Sequence, residues 1–183
     1  MDIELSTDEK NALCALARES IEASLGGRKP SFPSPSGALL EHAGAFVTLH
    51  ENGQLRGCIG RMESRLPLSE TITEMAYSAA FEDPRFEPLS PREKDNIAIE
   101  ITVLGPLRKM EKFEDLVVGR HGLYIAARGR VGVLLPQVAV EYGWTALAFL
   151  DQVCMKAGLH PGAWKETGAK LYVFEGIVFG EKG

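Results

Sequence analysis

The sequence predicts an α+β fold, a mainly antiparallel sheet with flanking helices. Three observations predict it. The strand-like segments are joined mostly by hairpin turns, the clearest being Asn52-Gly53. The helical segments fall between the strands, at about 67–82 and 136–158, rather than alternating with them one for one. Parallel βαβ units are therefore not the repeating plan.

Each element can be justified in chain order. Ser6 and Glu9 have the spacing of a capping box, in which each side chain satisfies a backbone N–H at a helix start. Leu13, Leu16, Ala17, Ile21 and Leu25 then recur at helical spacing, and Gly26-Gly27 ends the run. The stretch KPSFPSPSG has three prolines and no periodicity, so it reads as an ordered surface arm. AFVTLH, Asn52-Gly53 and QLRGCIG make a hairpin over 45–60. The two glycines of the return strand mark a bulge or a close backbone approach.

Pro67 opens a second helix, at a position where its missing N–H costs nothing. Leu68, Ile72, Met75, Ala76, Ala79 and Ala80 form its buried face, and it ends near Asp83-Pro84. IAIEITVL, 97–104, reads as a long strand. LYIAA, the turn RGR and VGVLL form a second hairpin over 122–135. A helical stretch begins near Pro136. A further helix starts near Thr145 and turns Leu147, Leu150, Val153, Cys154 and Ala157 inward until Gly158. KLYVFEGIVFG is the last strand.

Bulk properties exclude several function classes. The 183 residues suit one domain over 1–183, with a smaller helical lobe built from about 62–95 and 136–168. A net charge of −5 and no Lys/Arg cluster make nucleic-acid binding an unexpected main function. MDIELSTDEK has neither the basic nor the apolar region of a signal peptide. No apolar run approaches the ~20 residues of a membrane span, so a cytoplasmic location is expected. Cys14, Cys58 and Cys154 are far apart, with no CxxC pair and no zinc spacing. No GxGxxG, phosphate loop or CxxxCxxC occurs, so neither a metal nor a cofactor is expected.

Several blocks then add a family resemblance. Leu55-Arg56-Gly57-Cys58-Ile59-Gly60 resembles the LRGCIG signature of the AMMECR family, also called AmmeMemoRadiSam system protein A. Asp83-Pro84-Arg85-Phe86 with Pro88-Leu89 resembles its DPRF-x-PL block, and Ile99-Glu100-Ile101 with Val103-Leu104 its central strand. Gly119, His121-Gly122-Leu123, then Leu134 to Ala139 with Glu141 and Trp144, then Cys154 with Lys156 to Leu159, follow in family order. His160 stands before Pro161, where the family pattern has the proline directly. The resemblance implies a two-lobed α+β fold and, as partners, a Memo-like protein and a radical SAM protein. It implies no known reaction.

Cys58 is the residue best suited to chemistry. Gly57 and Gly60 leave room for a ligand beside the sulfur, and Arg56 shares its strand face. It reads equally as a small buried residue beside a tight contact. His121 is either a general base for Cys58 or a turn histidine bonded to backbone. Arg85 either meets an anion or pairs locally with Asp83. Gln137 and Glu141 lie four apart on one helical face, so Glu141 is an acid/base candidate or a salt-bridged surface residue. Trp144 lines a pocket or packs in a core. Two functions lead, ahead of a third, a nucleic-acid-associated protein, which would need a local basic face of Arg56, Arg61, Arg65 and Arg85. One is an enzyme with catalytic Cys58, His121 and Glu141 acting on a small anionic ligand, bound by Arg56, Gly57, Gly60, Arg85, Gln137 and Trp144. The other is a non-catalytic binding or adaptor module for the two partners.

Overall fold

A computed structural model describes residues 3–181. The chain divides into two compact units, one of 1–104 with 177–183 and one of 105–176. The fold is α+β, as the sequence predicts. The stretch 62–95 lies in the first unit and 136–168 in the second.

In the first unit, helix α1 (Thr7–Leu25) starts on the expected box. Ser6 Oγ accepts from Glu9 N–H, and the Glu9 carboxylate accepts from Ser6 N–H at 2.9 Å. The helix is capped at Gly26. Strands β1 (Ala45–Glu51) and β2 (Gln54–Arg61) form the first hairpin. Its turn residues Asn52 and Gly53 both have positive φ, 51° and 76°, as a type I′ turn requires. Helix α2 (Leu68–Phe81) follows, with Pro67 at the N-cap, one position before the predicted first turn. Strand β3 (Ile97–Leu104) pairs antiparallel with β1 on the side away from β2.

Period-two alternation divides this sheet into faces. The cross-strand rows Ile59–Val47–Ile101 and Gly57–Leu49–Ile99 belong to one face. Val47, Leu49, Ile99 and Ile101 are buried there with Leu13 and Ile21 of α1 and Leu68 and Ile72 of α2. The row between them, Cys58–Thr48–Glu100, belongs to the other face. Cys14 joins the core, as its helical spacing implies.

In the second unit, a two-residue strand β4 (Arg108–Lys109), too short to show in the sequence, pairs with the first part of β7 (Lys170–Gly180), whose residues from 177 on are counted with the first unit. Strand β7 also pairs with β5 (His121–Ala127), which pairs in turn with β6 (Arg130–Leu134). The β5–β6 turn is Arg128-Gly129, both at positive φ. Helices α3 (Pro136–Glu141) and α4 (Ala146–Lys156) follow, the second capped by Thr145 Oγ1, which accepts from Ala148 N–H. Leu123, Ile125, Phe149, Leu150, Val153, Cys154 and Val173 form the core. Leu147, expected to point inward, is 49% exposed. Leu147 shares the phase of Leu150 and Cys154, but in the first turn of α4 the buried side chain is Phe149.

Candidate functional site

The LRGCIG and DPRF blocks, a helix apart in sequence, meet at the outer edge of β2. β2 has β1 on one side only, so alternate backbone groups on its other side need partners. At Cys58 they have them. Asp83 Oδ2 accepts from Cys58 N–H at 2.9 Å, and Arg85 Nη2 donates to the Cys58 carbonyl at 3.2 Å. The two side chains also hold each other. Arg85 Nε and Nη2 donate to Asp83 Oδ1 and Oδ2 at 2.9 and 2.7 Å, and Arg85 N–H donates to Oδ1 at 3.1 Å. Asp83 is 4% exposed. The Arg85 guanidinium, with the backbone N–H groups, holds its carboxyl well below the usual range.

The glycines have a packing explanation. A Cβ at Gly57 would stand 2.2 Å from the Ala79 carbonyl oxygen of α2, and one at Gly60 would stand 2.3 Å from the Phe46 ring. Helix backbone fills the space at Gly57, on the face opposite the sulfur, and an aromatic ring fills it at Gly60, on the face Cys58 shares. The close approach, the other meaning a strand glycine can have, is the one observed.

Cys58 itself is half-buried. Its sulfur accepts from Thr48 Oγ1 at 3.3 Å, the cross-strand neighbour in a pair whose backbone groups point away from each other. Burial pushes the thiol up, and the carboxylates of Asp83 and Glu100 add to this. The Thr48 bond and the Arg85 charge oppose it without reversing it. The expected activation by Arg56 does not occur. Arg56 donates to Glu93 at 2.7 Å and to the Glu87 carbonyl at 2.9 Å, and its guanidinium lies over Phe86, 5.8 Å from the ring centre. Glu93 is held down to about 2 by that pair. Arg85 lies over the same ring at 5.4 Å.

The remaining predicted residues belong to the second unit. His121 is 6% exposed, and its Nδ1 accepts from Val117 N–H at 3.1 Å. Its Nε2 faces Arg108 Nη2, which can only donate, at 3.3 Å, and Glu175 at 3.8 Å, so donors stand against both ring nitrogens. Burial, reinforced by the Arg108 charge, pushes this imidazole below its ordinary value. Gln137 and Glu141 lie on α3, Gln137 half-buried and Glu141 exposed at its end. Trp144 is half-buried, with Tyr142 stacked on it at 4.9 Å and Phe149 6.3 Å away. Among the described residues no group of three His, Cys, Asp or Glu side chains is placed to hold a metal, and no helix is long and apolar enough to cross a membrane.

Asp83, which the sequence offered only as a local partner of Arg85, is also the acceptor of Cys58 N–H. Its signal was its place beside proline after an apolar helix face, which marks a turn whose carboxylate is available for backbone N–H groups.

The pattern of the AMMECR1 family matches residues 14–179. This chain belongs to the AMMECR1 family. Protein MK0488 of Methanopyrus kandleri is 42% identical over 100% of this chain and 93% of its own. Protein NEQ441 of Nanoarchaeum equitans is 41% identical over 92% of this chain and 98% of its own. Among solved structures, the crystal structure of uncharacterized protein PH0010 from Pyrococcus horikoshii superposes with a TM-score of 0.87 at 38% identity, covering 93% of this chain and 90% of that one. Membership fixes the fold, and the LRGCIG and DPRF segments meet at the Cys58 edge.

Proposed function

We propose that this AMMECR1-family chain is a non-catalytic binding and adaptor module. Its partners in this reading are the Memo-like protein and the radical SAM protein that the family resemblance implies. The observation that carries it is the state of Cys58. Its N–H, its carbonyl and its sulfur all have partners within the chain, and burial keeps the thiol protonated. A nucleophilic cysteine needs the opposite environment, open and electropositive. His121 gives its Nδ1 lone pair to a backbone N–H, so that nitrogen is not available as a base. A partner surface is offered by the second unit, where Val140, Tyr142 and Leu147 are 61%, 69% and 49% exposed and Tyr142 extends the face of Trp144. Exposed apolar groups with aromatic anchors are what protein partners cover.

The enzyme reading keeps one supporting observation. Arg85, its side chain 52% exposed, stands beside Cys58 with N–H donors left for an anion. In that reading Arg85 binds a small anionic substrate, Cys58 attacks it, and His121 and Glu141 are the acid/base candidates.

Two measurements separate them. Site-resolved iodoacetamide labelling across pH is expected to leave Cys58 slower than an unstructured cysteine peptide near neutrality, with labelling rising only at alkaline pH. Gel filtration with purified Memo-like and radical SAM proteins is expected to show a complex that survives Cys58→Ser and weakens in Tyr142→Ala. Cys58 labelling faster than the peptide at neutral pH, with no complex formed, would overturn the adaptor reading.

A further inference from the structure

The proline-rich arm and the two helices of the first unit enclose space that neither family block uses. The arm is tied to α1 at both ends. Ser31 N–H donates to Glu19 at 2.8 Å, and Ala38 N–H donates to Glu9 at 2.8 Å. Glu19 is also clamped by Arg28. Between these ties, residues 32–36 cross over two cavities that share Leu16, Phe32 and Pro33 as walls. One, of about 330 Å³, lies along Ala12, Ala15 and Leu39. The other, of about 290 Å³, reaches α2 at Ser69, Glu70, Thr73 and Glu74. Each is close to the lower end of the range for small-molecule sites, ~300 Å³.

The second cavity has a feature that packing does not explain. Ser69 is 7% exposed, lines the cavity, and its hydroxyl has no hydrogen-bond partner. Its neighbours do have partners: Thr73 Oγ1 donates to the Ser69 carbonyl at 2.6 Å, and Ser20 Oγ donates to the Thr73 carbonyl at 2.9 Å. A buried hydroxyl without a partner is costly, so its place at the wall of an apolar cavity points to an acceptor or donor on a ligand. The charge at the rim is of one sign. Glu19, Glu70 and Glu74 line the two cavities, and no Lys, Arg or His does. Arg28 and Arg61 pair with Glu19 and Glu74 from outside the lining, which leaves Glu70 to set the preference.

We infer that the pocket beneath the arm binds a small apolar amine, its body against Leu16, Phe32 and the prolines, its polar end at Ser69 and Glu70. The arm is the cover of the site, since Phe32 and Pro33 are walls of both cavities. This site is independent of the partner reading and of Cys58.

The test is backbone-amide NMR of the full chain titrated with phenethylamine, 2-phenylethanol and phenylacetate at millimolar concentrations. Amides of Leu16, Phe32, Ser69, Glu70 and Thr73 are expected to shift with the amine. The alcohol should bind about two- to fivefold more weakly, the scale of one solvent-exposed charge interaction, and the carboxylate more weakly still. Glu70→Gln should bring the amine down to the alcohol, and Ser69→Leu should abolish both by filling the cavity. If Ser69→Leu melts early, Phe32→Ala replaces it and should weaken both probes. Shifts elsewhere, no shifts, or equal affinity for all three probes would overturn the proposal.

Discussion

Asp83→Ala is the substitution on which the reading of the Cys58 edge depends most. The change removes the acceptor of Cys58 N–H and of the Arg85 guanidinium and backbone N–H. Arg85 is half-exposed and can turn to water, so its loss is small. Cys58 N–H is in a different position, at a strand edge walled by the same turn. A buried N–H left without its charged acceptor costs about 1.5–3 kcal/mol. Deleting part of a nearly buried side chain and loosening the turn adds to that, so about 2–4 kcal/mol is expected. For a chain of this size that is a fall in melting temperature of roughly 2–4 °C per kcal/mol. Urea unfolding followed by circular dichroism measures the loss, and exchange of the Cys58 amide reports it locally. Arg85→Ala should cost a comparable amount, because it leaves a nearly buried carboxylate with two backbone donors and no counter-charge. The pH dependence has a definite sign. The folded carboxyl lies below its unfolded value of about 3.9, so its contribution is full above that value and is lost as pH falls further. Asp83→Ala should remove this acid-side loss. A cost below about 0.5 kcal/mol, less than one neutral hydrogen bond, would refute the account of the edge.

Other outcomes follow from the same contacts. Gly57→Ala should cost about 1–3 kcal/mol or more in urea unfolding, because its Cβ would meet a backbone oxygen that cannot rotate away. Ser6→Ala should cost about 1 kcal/mol and fray the start of α1, seen as faster amide exchange there. His121 should titrate below about 6.5 by NMR. The unfolded chain then binds this proton more readily, so His121 withdraws stability as pH falls from the unfolded value toward the folded one. Cys14, pushed up to about 11 by burial, should label with iodoacetamide far more slowly than a free peptide thiol.

Much of the fold was legible because local rules and burial agreed. The Asn52-Gly53 turn, the Ser6–Glu9 box and the stripe from Leu68 to Ala80 each state their own geometry. Strand β4 was not legible, since two residues carry no alternation and Arg108-Lys109 has no apolar face. Leu147 was misplaced because it fits the inward phase by spacing, while in the first turn of the helix it is Phe149 that is buried. The candidate site was half legible. The sequence marked two blocks that do meet, but spacing cannot say which side chain an arginine meets. Arg56 turned to Glu93, thirty-seven residues on, and not to the cysteine two residues away.

The meeting of the LRGCIG and DPRF segments follows from one placement of α2. LRGCIG needs Gly57 because α2 backbone passes within contact of it, and Gly60 because Phe46 covers it. The helix that presses on Gly57 at Ala79 is the one that Asp83 follows, four residues later. One placement of α2 against β2 therefore demands the glycine and also delivers the carboxylate to Cys58 N–H. A residue larger than glycine at 57 would lift the helix, and the Asp83 bond would lengthen with it. The two blocks are thus coupled mechanically without any shared chemistry, and the coupling is measurable. Gly57→Ala and Asp83→Ala combined should cost less than the sum of the two, because the first already weakens the bond the second removes. Strict additivity would mean that the glycine and the aspartate serve separate ends, and would return Cys58 to consideration as a reactive thiol.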